Sequence, residues 1–480
     1  MSTIAFSHRI PLSLADTWAL HGRPGIVHRL TPGFTRMRLI EQADSLRDGL
    51  TKFALPGGIT WLAQHQAGAY EGASTSWRRF QDVCTTAGLG TLTGWEHTHE
   101  FRAEGAAGSA GTAGSAGSTV ITDRLHTNLP EFVAKRAFGG VFAYRQNQLQ
   151  ADVQHLTFAR RLRERADDDS PLRIAVTGSG GLVGTQLCAL LELAGHEVVR
   201  LKRGGTGNGA GAGSTGSDTV RKWNPDNPAQ GLLDGVQVLI HLGGHPIAGR
   251  FTEEHVAKVR DSRLEPTRKL AKLVAETPCV KAMVCASAVG FYGNDRAEQA
   301  DETAGQGAGE VAEIVAGWEA ATESARAAGK RVVNVRSGLV LGGGSQMLDL
   351  LLASVRVGGG RLGDGSQHFA WVALDDVVDI YHRAAIDPNL NGPVNAVGPE
   401  VLTNDEFTRI LARVGGGLPL IPVPKQAPEI LLGKQGAKEL ALADQHVVPE
   451  VLQNLKHPFR YPTAEAALRH ELGREGVQRV

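Results

Sequence analysis

Cysteine is scarce: four residues in 480, Cys84, Cys188, Cys279 and Cys285, with no paired spacing. That excludes a disulfide-stapled scaffold and a cysteine-rich zinc site. Net charge is missing as well, since 50 Lys and Arg balance 50 Asp and Glu. A surface built throughout for nucleic acid or anionic lipid needs a cationic excess, so neither is an expected partner. Long apolar runs are absent; 187–191 and 282–286 fall far short of the roughly 18 residues that a membrane span needs. The opening MSTIAFSHRIPLSL lacks a basic start followed by an apolar core, so no secretory signal is expected. These absences point to a soluble, cytoplasmic protein. Hydrophobic residues, at 42%, suffice for packed cores.

Glycine is what the chain has in excess. An average composition would give about 34 glycines in this length, and there are 60. Part of the surplus lies in two tracts, 103–118 and 204–217, rich in Gly, Ala, Ser and Thr. Neither carries apolar surface to bury, so both are expected to be flexible surface loops. The charged run RRLRERADDDSP at 160–171 reads as a boundary between domains. Before it, segments near the start and at 34–40, 59–66, 94–103 and 118–129 alternate as half-buried antiparallel strands do. A helix is expected over 130–153. After the boundary the rhythm becomes strand, helix, strand, which a parallel sheet with crossover helices requires. The expected plan is an α+β domain over 1–160, a linker at 161–171, an α/β domain with a doubly wound parallel sheet over 172–418, and an appended C-terminal segment over 419–480.

The most informative stretch is Thr177-Gly-Ser-Gly-Gly-Leu-Val-Gly184. An apolar strand leads into it and an amphipathic helix follows, the setting a dinucleotide loop requires. Gly178 makes the turn, Gly181 lets backbone amides approach a pyrophosphate, and Gly184 lets helix pack on strand. Thr177, Leu182 and Val183 complete the candidate loop, with the helix N-terminus attracting phosphate. At the end of the next strand, NAD would need a carboxylate for its ribose. The chain instead has Arg200, Lys202 and Arg203, with Arg203 the candidate for a 2′-phosphate, so NADP is favoured over NAD. The competing reading is a strand end whose charges are merely solvated.

The same loop, followed in order by HLGG (241–244), SAVGFYG (287–293), WEAA (318–321), VRSGLVLGGG (335–344), LGDGSQHFAWVALDD (362–376) and GPVNAVGP (392–399), resembles the atypical short-chain dehydrogenase/reductases. Within them it is similar to the "epimerase family" related to NAD(P)-dependent epimerases and dehydratases, over about 172–475. The first 160 residues resemble the helix-grip, START-like superfamily through PGIVHRLTPGF, WEHTHEF and FAYRQNQLQADV. The resemblance implies a Rossmann domain with a C-terminal substrate lobe, preceded by a helix-grip domain. It implies that Leu242, Gly243 and Ser287 also border the cofactor.

Catalysis is less direct. Working members of the superfamily use a Tyr-x-x-x-Lys pair, and no Tyr stands between Gly293 and Ile380. Ser287, Tyr292 and Glu302 are therefore the candidate catalytic groups, and Trp318-Glu319 falls where the Tyr and Lys would sit. Arg336, Gln367, His368 and Trp371 are candidate substrate contacts, with Arg336 paired to Asp375 or Asp376 as the structural alternative. Two functions follow: an NADP-dependent oxidoreductase or nucleotide-sugar epimerase acting on a small alcohol or carbonyl, or a degenerate NADPH-holding sensor or scaffold coupled to an N-terminal module that binds an apolar ligand. In the first domain His97 and His99 share one strand face, and with His126 they raise the question of a metal site. No acidic or cysteine partner stands at ligand spacing, so no metal is expected, and the imidazoles are read as capping an apolar cavity. Trp18, Phe34, Trp61, Phe80, Trp95 and Phe101 would wall it, His97, His99 and Arg79 would anchor an apolar ligand, and residues 1–165 would fold alone.

Overall fold

The computed structural model describes residues 1–104, 117–166, 170–204 and 219–478. The two glycine-rich tracts lie almost wholly outside the described residues. The chain divides into two compact units, Met1–Thr157 with Arg469–Val480, and Phe158–Leu468.

The first unit is a seven-stranded sheet, antiparallel throughout. Its strands are β1 (Ser2–Ile10), β2 (Arg38–Glu41), β3 (Leu50–Ala54), β4 (Thr60–His65), β5 (Trp77–Cys84), β6 (Glu96–Glu104) and β7 (Ser118–Thr127), in the order β1-β7-β6-β5-β4-β3-β2. Alternation makes one face inward: Ile4, Phe6, His8 and Ile10 of β1 are buried, as are His97, His99 and Phe101 of β6. The helix Glu131–Glu164 covers part of that face, where Phe142 stacks on Phe6 at 4.5 Å and Phe138 meets Trp95 edge-on at 5.3 Å.

Several expectations change here. The strand expected over 34–40 shrinks to Arg38–Glu41, after a single 3-10 turn at Gly33–Thr35. β3 and β5 were not anticipated, because Lys52, Arg78, Arg79 and Gln81 hide their alternation. The helix continues to Glu164, so 161–164 is not linker; its charges are at home on a helix surface, where Arg160 and Glu164 pair across one turn at 3.6 Å. The expected cavity walls pack on one another. Trp18 meets Phe80 and Phe101 edge-on at 5.9 and 5.3 Å, Trp61 meets Trp95 at 5.4 Å, and Phe34 meets Tyr144 at 5.9 Å. The end of the chain belongs to this unit too: His470 Nε2 is hydrogen-bonded to Gln148 Oε1 at 2.9 Å, so 419–480 is not one appended segment.

The second unit is built on β8 (Arg173–Thr177), β9 (Glu197–Arg203), β10 (Val220–Trp223), β11 (Val238–His241), β12 (Ala282–Ala288), β14 (Arg331–Ser337) and β18 (Gly392–Ala396). All neighbours are parallel, in the order β10-β9-β8-β11-β12-β14-β18. Every residue of β11 is buried, as a strand covered on both faces must be. Helices Leu182–Leu193, Glu253–Glu276, Glu310–Ala320 and Leu374–Ile386 provide crossovers. Strand order reverses between β8 and β11, which opens a crevice at their carboxyl ends. Among the described residues, the unit also has three short parallel pairs: β13 (Asp295–Ala300) with Asp444–Val447, β15 (Leu339–Leu341) with β17 (Trp371–Ala373), and β16 (Gly359–Leu362) with Ile421–Val423. Among the described residues, no helix is long and apolar enough to cross a membrane.

Candidate functional site

At the reversal point, β8 ends in the glycine turn. Gly178 has φ +68°, and a Cβ there would lie 2.9 Å from the carbonyl carbon of Leu242, so only glycine fits. A Cβ on Gly184 would lie 2.1 Å from the Gly178 oxygen; that glycine seats the helix on the turn. Gly181 differs. Its φ is −79°, and a Cβ would meet only the Gly178 oxygen at an ordinary 3.4 Å. The fold therefore tolerates a side chain at Gly181, and the space it would fill is outside the packed turn. Helical geometry leaves the first amides of Leu182–Leu193 without intrahelical acceptors, so Leu182 and Val183 present N–H groups suited to phosphate. Thr177 serves the sheet instead. Its Oγ1 accepts from the amides of Leu242 and Gly243 at 3.1 and 3.2 Å and bonds His241 Nδ1 at 2.7 Å. It ties the end of β8 to β11. Burial, reinforced by the charge of Arg263, pushes the His241 imidazole down to about 4.

At the end of β9 the basic residues part company. Arg200 pairs with Glu192 at 2.6 Å, while Lys202 and Arg203 are exposed.

One strand beyond β11, β12 brings Ser287 to the same edge of the sheet. Its hydroxyl donates to Glu319 Oε1 at 2.6 Å. Arg336, from the facing position on β14, grips both oxygens of Glu319 at 2.8 and 2.7 Å and donates to the Tyr292 hydroxyl at 2.9 Å. Tyr292 in turn donates to Asn395 Oδ1 at 2.8 Å. The Arg336 guanidinium also lies 3.6 Å from the Phe291 ring centre. Ser287, Tyr292 and Arg336 are all buried, so the charges compensate each other away from water. Burial raises the Tyr292 phenol, against the pull of Arg336.

This geometry bears on five of the expected assignments. Arg336 pairs with Glu319, not with Asp375 or Asp376. Glu302 accepts from the backbone amides of Asn395 and Val451 at 2.9 and 3.2 Å and holds β18 to the chain after it; burial is the main cause that raises its pKa. Trp371 is 1% exposed and its indole N–H donates to the Glu400 carbonyl at 3.0 Å, so it is core and offers no stacking face. Gln367 donates to the Leu362 carbonyl. His368, half-buried, bonds Asp444 Oδ1 at 2.8 Å through Nδ1. Glu319 is the candidate group that sequence reasoning undervalued. Its signal was the Trp-Glu pair on the helix after β12; Trp318 proves to be core, bonded to Thr267. Beside the network lies an open hollow of about 620 Å³, lined by Tyr292, Asp295, Glu298, Ala308 and Lys438 among others.

A second polar cluster lies in the first unit. On the inward face of its sheet, His97 Nε2 and His99 Nδ1 meet Asp123 Oδ1 at 3.0 and 2.8 Å. Their other nitrogens face Asp82 Oδ2 at 3.5 and 3.7 Å. All four residues are buried. Burial disfavours every charge here, yet the imidazoles hold both carboxyls below their ordinary range. The reading that His97 and His99 lack acidic partners is thus overturned: β5 and β7 supply them from across the sheet. His126 points to the opposite face, where it bonds Thr3.

A crevice at the strand ends of a doubly wound sheet, with a glycine turn at the reversal point, defines a dinucleotide-binding α/β protein. The family model of the NAD dependent epimerase/dehydratase family matches residues 174–397, and that of a domain of unknown function (DUF1731) matches 423–471. An epimerase family protein of Mycobacterium bovis is 35% identical over 307 residues, 63% of this chain and 98% of its own length. The human epimerase family protein SDR39U1 is 32% identical, over 62% of this chain and 99% of its own. Among solved structures, the nucleoside-diphosphate sugar epimerase from Corynebacterium glutamicum aligns with a TM-score of 0.81 at 41% identity. That alignment covers 99% of this chain and 91% of that one. Human SDR39U1 with NADPH aligns with a TM-score of 0.54 at 29% identity, over 63% and 99%. The chain belongs to the NAD dependent epimerase/dehydratase family.

Proposed function

We propose that the second unit is an NADP(H)-dependent oxidoreductase or epimerase that works on a hydroxyl or carbonyl carbon of a small molecule, nucleotide sugars included. The observation that carries this reading is Ser287 bonded to Glu319 at 2.6 Å, one strand from the glycine turn. When bound, NADP(H) supplies or accepts a hydride. The residues fit it: the Gly181 turn leaves room for a pyrophosphate, the amides of Leu182 and Val183 face outward from the helix start, and Lys202 and Arg203 are free of the Glu192 pair that occupies Arg200. Leu242 and Gly243 border the opposite side of the crevice.

Ser287 and Glu319 handle the proton. A base must lie within hydrogen-bond reach of the hydroxyl it serves, and Glu319 does, held by two bonds from Arg336. Tyr292 positions Arg336 and borders the hollow beside it, and Glu302 acts through the backbone. The proposal is supported by the NADPH carried by human SDR39U1 and by the sugar-nucleotide activity named for the Corynebacterium relative. For the first unit we read a helix-grip module, supported by the helix Glu131–Glu164 lying on the inward face of an antiparallel sheet. The sensor reading has one observation in its favour: Ser287, Glu319, Arg336 and Tyr292 are all engaged with one another in a single network of bonds.

Mixing the protein with NADPH and a panel of nucleotide sugars and small carbonyl compounds separates the two. Consumption or epimerisation that Ser287→Ala removes, with NADPH binding kept, is expected. Tight NADPH binding with no turnover on any member would move the assignment to the sensor.

A further inference from the structure

We propose that Asp82, His97 and His99 form a binding site for one divalent transition-metal ion of the zinc class, with Asp123 as its outer-shell partner. One donor atom from each of the three lies within 4.8 Å of the others, and all three residues are buried. Zinc bonds imidazole nitrogen and carboxylate oxygen at about 2.0–2.2 Å, which sets donor atoms about 3.3–3.5 Å apart in a tetrahedron. Asp82 Oδ2 stands 3.5 Å from His97 Nδ1 and 3.7 Å from His99 Nε2. That is longer than a good hydrogen bond and close to the spacing of two ligands on one ion.

The opposite side of both rings completes the argument. His97 Nε2 and His99 Nδ1 converge on the single oxygen Asp123 Oδ1 at 3.0 and 2.8 Å, true hydrogen-bond distances. A metal-bound histidine usually donates its remaining N–H to a carboxylate, which fixes the tautomer and turns the other nitrogen's lone pair to the metal. Here one carboxylate does this for both rings. With their protons on the Asp123 side, Nδ1 of His97 and Nε2 of His99 turn lone pairs toward a carboxylate oxygen. Three electron-rich atoms face one another there, an arrangement a cation stabilises. Imidazole donors select zinc, nickel, cobalt or iron over magnesium and calcium, which prefer oxygen. Asp82 Oδ1 is held by the Trp95 indole N–H at 3.3 Å, which leaves Oδ2 for the ion.

The surroundings have unspent donor capacity. His8 is 2% exposed and neither ring nitrogen has a hydrogen-bond partner. It lies on the same sheet face, two residues along β1 from Phe6, which pairs with Asp123. The site crosses β5 and β6, with β7 reached through Asp123, so an ion there ties three strands together. Its role is structural, since the cluster is closed off by Phe80, stacked on His99 at 4.2 Å, and by Phe142 beside His97.

The test uses the untagged full chain. Elemental analysis after purification is expected to find zinc near one equivalent per chain. Stripping with a strong chelator should lower the melting temperature by several degrees, and Zn²⁺ should restore it. Co²⁺ added to the stripped protein should give visible bands of a nitrogen- and oxygen-ligated site. Asp82→Asn and His99→Gln should lose the ion, and Asp123→Asn should weaken it about 10- to 100-fold. If those variants fail to fold, titration of the stripped wild type with Co²⁺ still decides. A protein that purifies without metal, shows no Co²⁺ spectrum and gains no stability from Zn²⁺ holds only a proton-bridged His–Asp network, and the proposal falls.

Discussion

Glu319 accepts the Ser287 hydroxyl on the same oxygen that takes Arg336 Nε, at 2.6 and 2.8 Å. That one oxygen therefore joins Ser287, a group suited to proton transfer, to Arg336, which fixes its position. Ser287→Ala should cost about 1 kcal/mol of stability, the worth of one hydrogen bond, and lower turnover by about 100-fold or more. Glu319→Gln removes the charge that compensates Arg336, so it should also cost about 3 kcal/mol. Paired melting and turnover measurements check this. Equal turnover in Ser287→Ala and wild type would remove Ser287 from the chemistry.

The three loop glycines separate packing from binding. Gly181→Val should leave the melting temperature nearly unchanged and abolish NADPH binding, because the turn has room for Cβ and the ligand does not. Gly184→Ala should destabilise the second unit, since its Cβ would press on the Gly178 carbonyl at 2.1 Å. Circular dichroism melts with NADPH fluorescence titrations distinguish them. Surviving NADPH affinity in Gly181→Val would reduce the loop to a turn.

Arg203 tests the choice of cofactor. A charge-assisted bond contributes about 1.5–3 kcal/mol, so NADPH should bind at least about tenfold more tightly than NADH. Arg203→Ala should narrow that ratio and leave NADH affinity unchanged. Equal affinities in the wild type would refute the preference.

The dinucleotide half was legible because its signals are local. A strand, a glycine turn and a helix stand next to one another in sequence, and each glycine has a steric reason visible over a few residues. The polar networks were not legible, because they are assembled across the sheets. Ser287, Glu319, Arg336 and Asn395 come from four separate elements. His97 and His99 announced a shared face, but their carboxylates arrive from β7 and from β5, a strand whose charged residues conceal its alternation. Trp371 misled for a different reason: at a strand end it reads as a substrate contact, while Gly398, distant in sequence, lets its ring pack closely.

Acid should weaken the second unit through His241. Burial holds its folded-state value at about 4, against about 6.5 in the unfolded chain. As pH falls through 6.5 the unfolded state takes up a proton that the folded state refuses until about 4, so stability is lost across that window and is level above it. Burial pushes Asp376 up to about 7, which acts in the reverse sense between pH 4 and 7, so the comparison must be internal. Between pH 7 and 5 the wild type should lose about 2 kcal/mol more than His241→Gln, in which the Asp376 contribution is the same. Denaturant melts at the two pH values measure it; parallel losses would mean that His241 does not titrate as its burial requires.

The end of the chain should matter to the first unit more than an exposed tail would. His470 is fully buried, stacks on Tyr144 with ring centres 4.3 Å apart, and bonds Gln148 on one nitrogen and Glu475 on the other. Further along, the Gln478 side chain donates to Asn147 and Gln150 at 2.7 Å each. His470→Ala removes a buried hydrogen bond worth about 1–3 kcal/mol to break and a ring contact worth about 0.5–1.5 kcal/mol. The variant should therefore lose about 2–4 kcal/mol. A fragment ending at residue 165 lacks the whole segment, so the expectation that 1–165 suffices should fail: it should melt well below the same unit in the full chain. Fluorescence of Trp18, Trp61, Trp77 and Trp95, the tryptophans of this fragment, reports its unfolding directly. A fragment as stable as the unit in the full chain would show that the returning segment is dispensable.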